Sequence, residues 1–133
     1  MKEKILERFL RYVRIDTRSD SDSTEFPSSK NQFVLAKMLV EELKHIGLTD
    51  ISIDNYGYVM ATLQSNTDKK IPVIGFLSHM DTSPDMPGAN VNPRLVDNYN
   101  GEDILLDKTT GLTLKVSDFP EIKQYKGQTI ITT

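Results

Sequence analysis

The first part of the chain carries apolar residues at helical spacing, interrupted by one polar stretch. Residues 1–15 place apolar side chains on one face and charged side chains on the other, which predicts an amphipathic helix. A second helix is predicted to begin at Ser29 and Gln32, because their spacing is that of a capping box, and to end at Gly47. Residues 16–28 have no apolar face and are predicted to form a loop.

Beyond this second helix the pattern becomes that of extended chain. Residues 71–77, Ile-Pro-Val-Ile-Gly-Phe-Leu, form a continuous apolar run, which is typical of a central strand buried on both faces. Shorter strands are predicted on both sides of this run. These shorter segments are residues 51–53, 58–63, 104–106, 112–114 and 129–133. The predicted fold class is α/β, with helices packed on a mixed β-sheet.

Composition narrows the classes of partner. The chain has 133 residues, the length of one domain. Its 16 Lys and Arg stand against 19 Asp and Glu without a basic cluster, so a nucleic-acid partner is not expected. The absence of cysteine excludes disulfides, Cys-ligated zinc and thiol catalysis, and it fits a reducing compartment such as the cytoplasm. The longest apolar run is too short to span a bilayer, so no membrane partner is expected.

His79 and Asp81 are the clearest candidates for chemistry. They directly follow the apolar run, and side chains two apart on an extended chain share a face. A carboxylate can accept one N–H of an imidazole and leave the other ring nitrogen for a metal. The carboxyl end of a strand is also where open α/β folds place their sites. The pattern alone leaves two interpretations open: a metal ligand with its orienting carboxylate, or an ordinary histidine beside a turn-forming aspartate.

Three other candidates are weaker. Ser78 is adjacent to His79 and is predicted to face the opposite side, which argues against a nucleophile and its base. Residues 20–25 resemble a calcium loop only weakly, since two required positions do not match, and they are interpreted as a solvated loop. His45 lies in the last turn of the second predicted helix, where capping is its predicted role.

A family resemblance extends beyond the spacing of His79 and Asp81. Residues 75–85 read Gly-Phe-Leu-Ser-His-Met-Asp-Thr-Ser-Pro-Asp. This segment resembles the first metal motif of the peptidase T family. Members of that family are tripeptide aminopeptidases and belong to the co-catalytic zinc peptidases. Four further blocks, in the family's order, are similar to that family: residues 12–20, 56–63, 90–93 and 125–133. The resemblance therefore runs through the whole chain.

The resemblance implies specific roles for two residues. His79 matches a ligand of one of two zinc ions, and Asp81 matches the acidic residue that supports this ligand and is counted as catalytic. Other divalent metals are compatible with such a site. The implied reaction removes the N-terminal residue of a tripeptide. The bridging aspartate, the glutamate base and the remaining ligands lie further along the family's sequence, and spacing places no second zinc ligand in this chain, although a catalytic zinc takes about three.

The resemblance also implies that residues 1–133 are the N-terminal portion of a catalytic domain. The rest of that domain and the lid or dimerisation domain would then be absent. We expect such a fragment to be inactive by itself, to expose an unpaired strand edge near Ile130, and to self-associate.

Two alternatives stay open. Besides the tripeptide aminopeptidase, the chain fits a non-catalytic α/β module with a weak or absent metal site. It also fits part of a related zinc peptidase that acts on dipeptides or acylated amino acids. The second alternative stays open because specificity residues lie further along the family's sequence.

Overall fold

The computed structural model describes residues 2–133. These residues divide into two compact units, one ending at Asn90 and the other spanning Val91–Thr133. The α/β class is confirmed, because two α-helices accompany three small β-sheets. Each sheet has two antiparallel strands, so the described residues form no single mixed sheet. Among residues 2–133, neither helix is long and apolar enough to cross a membrane.

The first unit contains both helices and one hairpin. Helix α1 spans Lys2–Tyr12 and helix α2 spans Gln32–His45. Strands β1, Thr49–Ile53, and β2, Val59–Thr62, pair antiparallel, and α2 packs on this hairpin. Leu35 and Ala36 of α2 are buried there, so the predicted apolar stripe of the second helix is confirmed at its start.

Local hydrogen bonds explain where α2 ends. Gly47 adopts a φ of 87°, a left-handed conformation that glycine accepts without a Cβ penalty. The N–H of Gly47 donates to the carbonyl of Lys44, and the N–H of Leu48 donates to the carbonyl of Leu43. These two bonds satisfy carbonyl groups that the last turn would otherwise leave without partners. The predicted stop at Gly47 is therefore confirmed.

The turn between β1 and β2 is also built by nearby residues. A single carboxylate oxygen of Asp54 accepts the backbone N–H groups of Tyr56 and Tyr58, each at 2.9 Å. Asp54 also donates its own N–H to the carbonyl of Tyr58, at 3.1 Å, which closes the hairpin. Aspartate is favoured in turns because its short side chain can bond the backbone two residues on. The predicted turn at residues 54–57 is confirmed.

Helix α1 is held to α2 by charge. Glu42 of α2 pairs with two arginines of α1: its Oε2 lies 2.6 Å from Nε of Arg8, and its Oε1 accepts a hydrogen bond from Arg11. No residue of α1 is buried, and the apolar side chains of Ile5 and Phe9 are exposed. The amphipathic pattern therefore predicted the helix correctly, but its apolar face is only partly covered among the described residues.

The second unit consists of two small sheets and a short 3₁₀ helix. Strand β3, Arg94–Val96, pairs with β6, Ile130–Thr132, and β4, Ile104–Leu105, pairs with β5, Thr113–Leu114. The 3₁₀ helix spans Pro120–Tyr125. The buried side chains of this unit are Tyr99, Ile104 and Val116. Because Ile130 pairs with Val96, the strand expected to be unpaired at this position has a partner on one side.

Residues 71–77 depart most from the prediction. No strand of the structure includes them, and their five large apolar side chains are between 56% and 99% exposed. The prediction of a buried central strand is therefore wrong for this chain. An apolar run indicates that a segment favours burial, but burial requires strands beside it and elements on both faces. The described residues bring neither to this segment.

Candidate metal site

The side chains of His79 and Asp81 meet. The Nδ1 atom of His79 lies 3.0 Å from the Oδ1 atom of Asp81, within hydrogen-bond distance. Only Met80 lies between them, so the two residues are two positions apart, as is required for side chains on the same face of an extended chain. The contact that the sequence predicted is present, although the strand predicted to precede it is not.

This hydrogen bond indicates which ring nitrogen of His79 carries the hydrogen. An ionised carboxylate only accepts hydrogen bonds, so Nδ1 of His79 carries the hydrogen and donates it to Asp81. In the neutral ring, Nε2 then presents its lone pair. The side chain of His79 is 81% exposed and that of Asp81 is 44% exposed, so Nε2 is open to an incoming ion. This is the arrangement in which a carboxylate orients a histidine ligand and increases its basicity.

One histidine does not complete a metal site. Within residues 2–133, no group of three or more His, Cys, Asp or Glu side chains is placed so that it could hold a metal ion. Catalytic zinc in proteins takes about three protein ligands and keeps one position open. The described residues therefore fit one ligand and its orienting carboxylate, and they do not fit a zinc ion by themselves.

The residue after Asp81 is tied to a distant loop. Thr82 forms an isolated parallel bridge with Arg18. The N–H of Thr82 donates to the carbonyl of Thr17 at 3.3 Å, and the carbonyl of Thr82 accepts both the N–H and the hydroxyl of Ser19, at 3.0 and 3.1 Å. We refer to these three hydrogen bonds as the Thr82 clamp. Sequence reasoning assigned residues 16–28 only to a solvated loop and missed it.

Gln32 has a different role from the predicted one. The residue before α2 is Asn31, and it makes no side-chain capping bond, so the predicted capping box between Ser29 and Gln32 is wrong. Instead, Nε2 of Gln32 donates to the carbonyl of Thr17 and to the hydroxyl of Ser28, each at 3.4 Å. A signal was present in the sequence, since Gln32 lies three residues before Leu35 and therefore on the buried face of the helix.

An open polar cleft of about 490 Å³ lies along the same loop. It is lined by residues 16, 18–21 and 28–29 together with Pro84, and it includes neither His79 nor Asp81. The loop that follows the pair is itself closed by Ser83, whose hydroxyl donates to Asp85 at 2.6 Å. The cleft therefore borders the segment that carries the pair without containing the pair.

The remaining sequence candidates have ordinary structural roles. Nδ1 of His45 lies 2.8 Å from the carbonyl of Glu41 at the end of α2, which agrees with the predicted capping role. In the loop at residues 20–25, the carboxylate of Asp20 accepts the N–H of Asp22 at 3.0 Å, as in an Asx turn. This loop belongs to no metal-binding cluster of the described residues.

The sequence of the chain is similar to those of known proteins. No family model matches it. It is 58% identical over 133 residues to "Peptidase T" of Geobacillus kaustophilus (strain HTA426), which is 100% of this chain and 32% of that protein. It is also 58% identical over 129 residues to "Peptidase T" of Clostridium botulinum (strain 657 / Type Ba4), which is 97% of this chain and 32% of that protein. The chain thus spans about a third of the length of the curated relatives it matches, and over that third its sequence is similar to proteins named Peptidase T.

Proposed function

We propose that the chain contributes part of the catalytic domain of a tripeptide aminopeptidase, in which His79 is a zinc ligand and Asp81 its orienting carboxylate. The observation that carries the proposal is the 3.0 Å contact between Nδ1 of His79 and Oδ1 of Asp81. The similarity to proteins named Peptidase T, over the whole chain, supports the peptide-hydrolysing class.

The roles of the two residues follow from their hydrogen bond. Asp81 holds the hydrogen of the imidazole on Nδ1 and fixes the plane of the ring, so that Nε2 of His79 points its lone pair at one place. Zinc, when bound, polarises the scissile carbonyl and lowers the pKa of a water molecule. The remaining ligands and the general base are proposed to come from the part of a peptidase T that these 133 residues do not match.

The proposal extends to substrate, domain and compartment. The substrate is a tripeptide from which the N-terminal residue is released, and the metal is zinc, two ions in the whole enzyme. Residues 1–133 are proposed to be the N-terminal portion of the catalytic domain, with the lid or dimerisation domain elsewhere in the longer protein. The proposed compartment is the cytoplasm, which fits a chain without cysteine.

A chimera tests the proposal directly. Residues 1–133 replace the matching segment of the Geobacillus kaustophilus peptidase T, and the purified chimera is assayed for tripeptide hydrolysis and for zinc per chain. We expect activity near that of the parent protein, and we expect His79→Ala to abolish turnover and reduce zinc content.

His45→Ala is the matched control, because His45 is the other histidine of the chain and bonds only the backbone of α2 in the described residues. This variant should retain both zinc and activity. A folded chimera that is inactive, or a His79→Ala variant that keeps its zinc and its rate, would contradict the proposal.

One observation favours a second candidate, a non-catalytic α/β module. Residues 2–133 contain no cluster of three metal-ligating side chains. The same chimera separates the two: a module would leave the chimera without zinc at the His79 position and without turnover, whereas the aminopeptidase proposal requires both.

A further inference from the structure

The His79–Asp81 pair has little support on its N-terminal side. Within the described residues, no backbone hydrogen bond is made by residues 71–81. The side chain of His79 is largely exposed, so packing does not fix it either. The first regular support along the chain is therefore at Thr82, one residue after Asp81.

Thr82, in contrast, is held by several hydrogen bonds. Both backbone polar groups of this residue are used by the Thr82 clamp, the N–H by Thr17 and the carbonyl twice by Ser19. Two bonds to one carbonyl from the backbone and the side chain of the same residue restrict Ser19 and Thr82 to one relative orientation. Because Asp81 shares a peptide bond with Thr82, this clamp restricts the backbone position from which the Asp81 side chain extends.

The clamp is anchored in the buried part of the first unit. Thr17 is 3% exposed and Gln32 is 8% exposed, and they are the two buried polar residues among those described. The carbonyl of Thr17 accepts two hydrogen bonds, one from Thr82 and one from the side chain of Gln32. Since Gln32 is the first residue of α2, this carbonyl links the helix to the segment that carries the pair.

A second contact holds the loop from the other side. Gly88 lies so close to Asp16 that a Cβ atom at Gly88 would overlap the Oδ1 atom of that aspartate. The same oxygen accepts the N–H of Arg18 at 3.2 Å. The segment of residues 16–19 is thus held between Thr82 and Gly88, which lie on either side of residues 83–87.

From this geometry we propose that Ser19 and Gln32 are positioning residues for the His79–Asp81 pair. Ser19 acts on the carbonyl of Thr82, and Gln32 acts on the N–H of Thr82 through the carbonyl of Thr17, which accepts a hydrogen bond from both. Both residues therefore act through backbone groups, and the proposal gives neither of them a contact with metal or substrate. The inference rests on the proposed metal role of His79, because only then does the orientation of its ring matter for function.

The test uses the 133-residue chain without metal or substrate. Nuclear magnetic resonance gives two readouts: the ¹⁵N shifts of the His79 ring, which report its tautomer, and the hydrogen exchange of the Thr82 and Ser19 amides. In the parent chain we expect the Nδ1–H tautomer and slowed exchange at both amides. Ser19→Ala removes the hydroxyl donor and should speed exchange at Thr82 by about fivefold, as expected for the loss of one hydrogen bond. It should also mix the two tautomers.

Three variants complete the design. Ser19→Thr keeps a hydroxyl and should restore both readouts. Ser21→Ala is the matched control, because Ser21 lies in the same loop and its side chain makes no hydrogen bond within the described residues. Gln32→Leu keeps the volume and removes the donor, so it should act in the same direction as Ser19→Ala.

The amides of the β1–β2 turn separate positioning from a general loss of stability. Asp54 donates its N–H within that turn and should keep its exchange rate in every variant. Equal acceleration at Asp54 and Thr82 would overturn the proposal, as would an unchanged His79 tautomer in Ser19→Ala. Failure of the proposed function is distinguishable from failure of this inference, because an inactive chimera can retain the Thr82 clamp and the Nδ1–H tautomer of His79.

Discussion

His79 donates its Nδ1 hydrogen to Asp81 across a distance of 3.0 Å, with a single residue between them. The short separation along the chain means that the contact does not depend on the strand that was predicted before it. The bond assigns different tasks to the two side chains, since only the ring nitrogen that faces away from Asp81 can meet a metal ion.

This division of tasks predicts graded losses in the Geobacillus chimera. His79→Ala removes a ligand and should empty one metal position. Asp81→Ala removes the orienting carboxylate and should lower metal affinity or tripeptide turnover by about 10- to 100-fold. Asp81→Asn should be milder, because its amide oxygen can still accept from Nδ1. Zinc per chain and kcat are measured together.

The control for these variants is Asp85→Ala. Asp85 lies in the following loop and accepts the hydroxyl of Ser83, so its loss should leave zinc content almost unchanged. If Asp81→Ala empties the metal position as completely as His79→Ala does, Asp81 is itself a ligand and its supporting role is wrong.

The isolated 133-residue chain should hydrolyse no tripeptide, even with added zinc or cobalt. One imidazole with its carboxylate cannot form a two-metal site or supply a general base, and the described residues offer no further cluster of ligands. The assay is tripeptide turnover on chain purified away from host peptidases, with the His79→Ala chain as background. Turnover that disappears in that variant would refute this expectation.

The exposed apolar segment at residues 71–77 should cause self-association. The side chains of Val73, Phe76 and Leu77 are almost completely exposed, and an uncovered apolar patch favours contact with a second copy. Phe76→Asp should therefore shift the chain toward monomer in size-exclusion chromatography with light scattering. Met86→Asp adds the same charge at another exposed apolar side chain and should have a smaller effect. A parent chain that is monomeric at every concentration tested would contradict the prediction.

The docking of α1 on α2 should depend on pH through Glu42. Hydrogen bonds from Arg11 and then Arg8 lower the pKa of Glu42 below its ordinary value of 4.5. A lowered pKa in the folded state means that the stabilisation is complete above pH 4.5 and is lost as the pH falls through the lowered value. Glu42→Gln should thus reduce Tm by a few degrees at neutral pH, and the difference from the parent should disappear in acid.

Glu41→Gln is the comparison for this prediction. Glu41 is exposed and pairs with Lys44 on its own helix, three residues away, so it does not join α1 to α2. Thermal melts followed by circular dichroism across the acid range should show a smaller effect of this variant. A gap between Glu42→Gln and the parent that persists at low pH would show that the ion pairs are not its cause.

Sequence reasoning succeeded where neighbours along the chain decide the structure. The stop at Gly47 and the turn at Asp54 are both made by residues at most five positions apart, and both were predicted. The contact between His79 and Asp81 has the same local character. The function proposed for this contact, in contrast, came from the family resemblance, because spacing alone fits a turn-forming aspartate equally well.

The errors all concern distant partners. Gln32 has the spacing of a capping residue, but its side chain bonds Thr17, which lies 15 positions earlier. Strand β3 was not among the predicted strands, and it is stabilised by pairing with β6, 36 residues away. Hydrophobic periodicity reports that a segment such as residues 71–77 favours burial, and it carries no information on what is available to cover it.

The Thr82 clamp has a consequence for the order of folding. It joins Ser19 to a residue 63 positions away, and the length-dependent entropy of closing such a loop costs roughly 4 kcal/mol. Three hydrogen bonds contribute about 1 kcal/mol each, which does not offset that cost. We therefore expect the clamp to close after α2 and the β1–β2 hairpin have formed and shortened the loop between its ends. On this expectation, the imidazole of His79 acquires its direction late in the folding of the first unit.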